Sequence, residues 1–163
     1  MMEDPLRTAD LCKGLADEEY AKLSSCGEQF TRSTGEYLFM LGDVADRLYV
    51  VLEGKVALCF PMSFGNVMKD VTVESARPGQ TLGWSTLVKP YRFTLSARAS
   101  ETTRLVSFSR NDLLNLFEKE PRIGYLVLTA LSELLGYRLL RGQALWAREL
   151  QRTVDAGATV GED

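Results

Sequence analysis

Apolar positions change rhythm twice along this chain. Between Leu11 and Leu23 they fall at Leu11, Leu15, Tyr20 and Leu23, with Asp17, Glu18 and Glu19 grouped where carboxylates complement a helix N-terminus. Short helices are predicted over 8–25. From Phe30 to Phe108 the texture turns to short runs of Val, Leu, Phe, Tyr and Thr, broken by Gly35, Gly42, Gly54, Gly65, Gly79 and Gly83. That is the pattern of a compact antiparallel β unit. Its best strands are Tyr37–Leu41, Leu48–Glu53, Lys55–Phe60, Met68–Ser75, Phe93–Ala99 and Arg104–Ser109, and Glu53-Gly54-Lys55 reads as a tight hairpin turn. About eight short strands are expected to curl into a roll or barrel over 28–109.

The helical period returns at Ser109, which stands in capping-box spacing with Asp112 ahead of Leu113, Leu114, Leu116 and Phe117. Glu118 to Pro121 closes that helix. A wide apolar stripe then runs to about Arg152 through Ile123, Val127, Leu131, Leu134, Leu135, Leu139, Leu145 and Trp146. Such a stripe can pack on the β unit and still leave side chains for a second copy of the helix in a parallel dimer seam. Gly124, Gly136 and Gly142 oppose it, each costing about 1 kcal/mol relative to alanine in a helix interior. The segment Thr153–Asp163 is small, acidic and aperiodic, and is expected to be a disordered tail.

Length and composition fit one ordinary globular domain: 163 residues, 45% hydrophobic and 25% charged. Nineteen Lys and Arg against 22 Asp and Glu leave a net charge of −3, without the basic excess on which non-specific nucleic-acid binding draws. The apolar run around Leu126–Leu131 is shorter than the ~20 residues of a membrane span, and Glu3, Asp4 and Arg7 break any signal-peptide core. No membrane association and a cytoplasmic location are therefore expected. Cys12, Cys26 and Cys59 are odd in number and widely spaced, and the chain has no histidine. Neither a metal site nor a disulfide framework is predicted. Without histidine, paired carboxylates or nucleophile–base spacing, an enzyme is not expected either; Glu36 and Asp43 read as strand and turn residues.

Read in order, Gly35-Glu36-Tyr37-Leu38-Phe39, Gly42-Asp43, the run from Asp46 to Val56 and Pro78-Gly79-Gln80-Thr81-Leu82-Gly83 resemble the cyclic-nucleotide-binding domain. That domain serves catabolite-activator-type regulators, kinase regulatory subunits and nucleotide-gated channels. The resemblance covers about residues 11 to 150 and implies a mainly β fold with flanking helices: a double-stranded β-helix, or jelly-roll-like β-roll, with N-terminal helices and a long C-terminal helix. Taken with the periodicity, it gives one domain over 1–152, with helices at 8–25, the roll at 28–109 and helices at 110–152.

The resemblance also implies a phosphate-binding cassette after Leu82. In that family it consists of a glycine, an acidic residue for the ribose 2′-hydroxyl, a short helix facing the cyclic phosphate, and an arginine pairing with it. Gly83 is in place, Ser85-Thr86-Leu87-Val88 can form the short helix, and Leu87 matches the apolar residue that couples the cassette to the following helices. Trp84 stands where the acid should be, and its indole offers one donor and no acceptor. Losing such a carboxylate–hydroxyl interaction weakens binding by about tenfold to a hundredfold. Counting back from Ala99 puts the arginine position at Phe93, with Arg92 one residue earlier as the anion-pairing candidate and Arg98 as a substitute. Trp84 reads either as core filler or as an aromatic platform, with Tyr91 and Phe93 nearby. Thr94 and Ser96 would share a strand face and offer hydroxyls. The candidate ligand-binding set is thus Gly83, Trp84, Ser85, Thr86, Leu87, Arg92, Phe93 and Thr94.

The function expected is a regulatory module that senses a cyclic nucleotide (cyclic AMP or cyclic GMP) or another small anion and signals through its long helix. The alternative is a ligand-free dimerisation or protein-interaction module. A homodimer through 121–152 and a further protein partner for output are expected. Transcription factors of the family continue past this helix into a helix-turn-helix; this sequence stops near the helix end, so no direct DNA binding is expected.

Overall fold

The computed structural model describes residues 3–157. A 3-10 turn at Asp10–Cys12 and helix α1 (Asp17–Ser25) precede eight strands: β1 (Glu28–Arg32), β2 (Tyr37–Phe39), β3 (Arg47–Glu53), β4 (Val56–Phe64), β5 (Val67–Ala76), β6 (Thr81–Leu82), β7 (Ser96–Ala99) and β8 (Thr103–Ser109). Helices α2 (Arg110–Lys119) and α3 (Pro121–Asp155) follow. The strands form two antiparallel four-stranded sheets, ordered β1-β8-β3-β6 and β2-β7-β4-β5, which face each other as a β-roll.

Strand β3 shows why the centre of the chain reads as a continuous apolar run. Tyr49 and Val51 point into the core between the sheets with Phe39, Leu58, Leu82, Phe93 and Leu105. Leu48, Val50 and Leu52 alternate to the other face, where Leu11, Leu23, Leu113, Ile123 and Val127 of the helices cover them. A strand buried on both faces has no polar side to show.

The chain differs from the sequence reading at several points. Glu53-Gly54-Lys55 is not a hairpin: β3 and β4 belong to different sheets, and this step carries the chain between them. Gly54 sits at φ +90°, and a Cβ there would lie 2.6 Å from the Thr102 carbonyl oxygen, so both conformation and space demand glycine. The two-residue hairpin is instead Gly65-Asn66, between the paired Phe64 and Val67. Strand β4 runs past Pro61 because its pairing with β7 ends at Cys59, and a strand with one open edge tolerates a residue without an N–H. Strand β2 stops at Phe39, short of Leu41, and β7 begins only at Ser96, leaving Phe93, Thr94 and Leu95 as an irregular approach.

Ser109 caps α2 as its spacing predicts, its hydroxyl accepting from the Asp112 N–H at 3.1 Å. Helix α3 is continuous through all three glycines. A Cβ on Gly124 would come within 2.9 Å of the Phe117 Cβ, so that glycine lets α3 close on α2, whereas Gly136 and Gly142 face open space. Of the expected tail, Thr153–Asp155 are helical, Ala156 and Gly157 follow the helix end, and 158–163 lie outside the described residues. Helix α3 also corrects the reading of apolar length, since by length and composition alone it reaches what a membrane crossing needs, with a window of mean hydropathy 1.3. Its first turns bury Ile123, Gly124, Val127 and Leu131 against the folded body, as a core helix does, while large apolar side chains beyond Leu131 remain exposed.

Candidate functional site

The site forms where the chain leaves β6. Leu82 pairs with Tyr49 of β3, and the backbone then reverses at Gly83 in the left-handed region, φ 77° and ψ 36°. A Cβ at this point would stand 3.1 Å from the Arg47 carbonyl oxygen and 3.2 Å from the Phe93 ring. Trp84–Thr86 then make a single 3-10 turn, with the Thr86 N–H donating to the Gly83 carbonyl at 3.0 Å and the Leu87 N–H to the Trp84 carbonyl at 3.1 Å. The Thr86 hydroxyl donates to the Arg47 carbonyl at 2.7 Å, tying the turn to β3.

The turn is also linked to the helices. Leu87 packs on the cluster containing Leu113, Ile123 and Val127, as the resemblance implies for that position. On the approach, Asp10 donates its N–H to the Gly79 carbonyl at 2.9 Å, and its carboxylate accepts from both the hydroxyl and the N–H of Thr81. The segment from Gly79 to Leu87 thus touches both the N-terminal turn and the core shared by α2 and α3.

Five of the eight candidates converge on one cavity: Gly83, Trp84, Ser85, Phe93 and Thr94. Its volume is ≈ 20 Å³, room for about one water and far below the ~300–1,000 Å³ of small-molecule sites. Phe93 closes it by stacking on Phe39, ring centroids 3.7 Å apart and planes within 9° of parallel. Tyr49 packs beside the pair, and burial, with a smaller contribution from the Asp46 charge, pushes its phenol above the ordinary value.

The remaining candidates are placed elsewhere. Thr86 and Leu87 turn to β3 and to the helices. Arg92 is exposed and outside the cavity, where its guanidinium donates to the Gly42 carbonyl at 3.2 Å and its backbone bridges Val44. Arg98 lies over the Tyr37 ring, 6.0 Å from its centroid. Thr94 and Ser96 do not share a strand face: Thr94 is exposed ahead of β7, while Ser96 is buried and accepts from the Leu41 N–H at 2.9 Å. Trp84 is half-buried and takes neither of the predicted roles alone, since it borders the small cavity on one side and a larger cleft on the other.

The guanidinium that does reach the cassette is Arg138, from α3. Its side chain is 18% exposed, and Nε lies 3.6 Å from a carboxylate oxygen of Glu74, within ion-pair reach but beyond hydrogen-bonding distance. That Nε is buried and finds no hydrogen-bond partner among the described residues. The sequence carried a signal for it: Arg138 is a full heptad beyond the buried Leu131, so the helical stripe aims a charge inward. Arg138 also lines the cleft of ≈ 760 Å³ between α3, the β4–β5 ribbon and the residues Trp84, Thr94 and Leu95.

Comparison with known proteins accords with this geometry. Residues 30–120 match the model of the cyclic nucleotide-binding domain. The chain belongs to that family. It is 32% identical over 134 residues to the cyclic AMP receptor protein of Thermus thermophilus, covering 82% of this chain and 59% of that protein, so it spans less than two thirds of that relative. Among solved structures, the catabolite activator protein of Thermus thermophilus is 31% identical with a TM-score of 0.71, over 88% of this chain and 63% of that one. The N-terminal domain of a transcriptional regulator from Streptomyces coelicolor is 28% identical with a TM-score of 0.67, over 98% and 99%. The family is regulatory, and against its cassette pattern this domain holds Trp84 at the acidic position and Phe93 at the arginine position. Neither Trp84 nor Phe93 offers the ribose acceptor or the phosphate-pairing cation that the resemblance implies, and the cavity beside them is only ≈ 20 Å³.

Proposed function

We propose that this domain is a regulatory sensor in which whatever occupies the space between the cassette and α3 sets the position of α3, and that α3 carries the signal onward, first to a second copy of the chain. One observation supports this reading above the others: Arg138, a residue of the long helix, is itself part of the cassette wall. A ligand arriving there touches the output element directly, without a relay, and its differential affinity for two helix positions is what would shift the population. Cyclic AMP or cyclic GMP is a poor occupant, because Trp84 and Phe93 supply neither the ribose acceptor nor the phosphate cation.

Thermal unfolding with cyclic nucleotides tests the point. A ligand at 100 times its dissociation constant adds about 2.7 kcal/mol, a rise on the order of 5–10 °C for a domain of this size. Neither cyclic AMP nor cyclic GMP at 1 mM is expected to approach that rise. A full shift at micromolar cyclic AMP would show that the cassette opens and finds other anchors, and would overturn this reading of it.

The second reading, a ligand-free dimerisation module, draws on the ≈ 20 Å³ cavity together with the exposed apolar side chains of α3. The expectation against DNA contact gains no support from the relatives, one of which is the N-terminal domain of a transcriptional regulator.

A further inference from the structure

The cleft between α3 and the roll has a composition that the cassette does not explain. Its walls are apolar and aromatic, with Phe60 and Val73 from the β4–β5 ribbon facing Leu135, Leu145 and Trp146 from α3, and Trp84 closing the end nearest the cassette. Three charged side chains interrupt them: Arg138, Arg141 and Glu74, two cations against one anion. Its ≈ 760 Å³ lies within the range of sites that hold a small organic molecule, in which a mostly apolar lining and a few polar groups fix orientation. Arg138 is the polar group in question. It is largely buried, it stands beyond hydrogen-bonding distance of Glu74, and its Nε has no partner among the described residues. A buried donor left without an acceptor is costly, and an incoming anion relieves that cost.

We infer that this cleft is a binding site for an amphipathic organic anion, a carboxylate with an aliphatic or aromatic body, whose charged end pairs with Arg138 and whose body lies between the β4–β5 ribbon and α3. The inference rests on the sensor reading and names its ligand class. The ligand's carboxylate competes with Glu74 for the same guanidinium, so occupancy loosens the Arg138–Glu74 ion pair between α3 and β5. A neutral molecule of the same shape would gain only the apolar contacts.

The chain contains two tryptophans, Trp84 and Trp146, and both line the cleft, so intrinsic fluorescence reads occupancy directly. Titration with decanoate and, separately, with decanol distinguishes charge from apolar body. Decanoate is expected to change the emission and to bind at least about tenfold more tightly than decanol, the advantage expected of a charge-assisted hydrogen bond. Arg138→Met should erase that advantage and Glu74→Gln should enlarge it. Leu145→Asp, at an exposed wall position that the fold does not depend on, should weaken decanoate in a protein with unchanged far-UV circular dichroism. Equal affinity for decanoate and decanol, or no emission change with either at concentrations below micelle formation, overturns the proposal. So does a probe that binds only at protein concentrations too low for self-association, which would give the cleft to a second copy. Decanoate binding without altered hydrogen exchange in α3 leaves the site standing and removes the sensor reading; stabilisation by a cyclic nucleotide with no decanoate response does the reverse.

Discussion

Cys12 shows what a single residue contributes when the fold closes over it. It is 1% exposed among Leu6, Leu11, Leu15 and the helices, and burial pushes its thiol up to about 12. An unfolded cysteine ionises near 8.5, so between those two values the unfolded chain has lost a proton that the native chain keeps. Stability should therefore fall as pH rises through this window, by up to about 1.4 kcal/mol per unit from this group. Cys12→Ala should flatten the slope measured by denaturant unfolding between pH 8.5 and 10, below the range in which Tyr20, raised to about 12 by burial and its Asp4 hydrogen bond, begins to contribute. A slope unchanged in the variant would assign the alkaline loss elsewhere. The same burial means that a thiol reagent applied to the folded protein should modify the half-buried Cys26 well before Cys12 or Cys59. At the acid end, Glu19 is held low first by the Ala16 N–H and then by Arg122, so the tie between α1 and α3 is present above the ordinary carboxylate range and is lost as pH falls through the lowered value.

At the scale of elements, the glycines of α3 separate helix propensity from packing. All three cost the isolated helix about the same, near 1 kcal/mol against alanine. Gly136 faces open space, so Gly136→Ala should recover most of that, raising the denaturation midpoint with the slope unchanged. Gly124 abuts Phe117, so Gly124→Ala should destabilise in spite of the propensity gain, because the α2–α3 contact must open to admit the methyl group. If both variants shift the midpoint in the same direction, the close approach at Phe117 is not what positions α3. Sequence spacing read these glycines uniformly as opposition to a helix, since a count along the chain registers propensity and not which glycine has a neighbour. The hairpin reading of Glu53-Gly54-Lys55 went astray similarly: a glycine at positive φ serves a hairpin and a crossing between sheets equally well, and only the pairing partners of β3 and β4 tell them apart.

For the molecule as a whole, the open question is what covers α3, a helix about 52 Å long. Leu128, Ser132, Leu135, Leu139, Gly142 and Trp146 follow one another in alternating steps of four and three, the period of a two-helix seam, and Leu139 and Trp146 are 55% and 64% exposed. Homodimerisation along this line is the expected outcome, read by light scattering at micromolar concentration. Leu128→Arg on this line together with Leu150→Arg beside its continuation at Glu149, both exposed positions outside the cleft, should yield a folded monomer. A wild-type protein that scatters as a monomer at high micromolar concentration would remove the dimer from the account. Because Leu135, Leu139, Gly142 and Trp146 belong both to this line and to the cleft, a ligand and a second copy would be linked, each altering the affinity for the other.

The roll was legible in the sequence. Short β-rich runs with glycines at ordered intervals, a capped helix at Ser109 and a wide apolar stripe after Pro121 mark a β unit followed by helices, and residues 11–150 carry the family resemblance that implies the roll. Trp84 at the acidic position was legible one residue after Gly83, whereas counting back from Ala99 left the arginine position open between Phe93 and Arg92. Which arginine reaches the cassette was visible only once the chain was folded. Arg92 was near in sequence but turns to the Gly42 carbonyl, while Arg138, more than fifty residues beyond Gly83, enters the cassette wall because α3 folds back along the roll. Local spacing fixes a backbone, whereas a site between a helix and a sheet depends on where two distant elements come to rest, and that is set by core packing at Gly124, Ile123 and Val127.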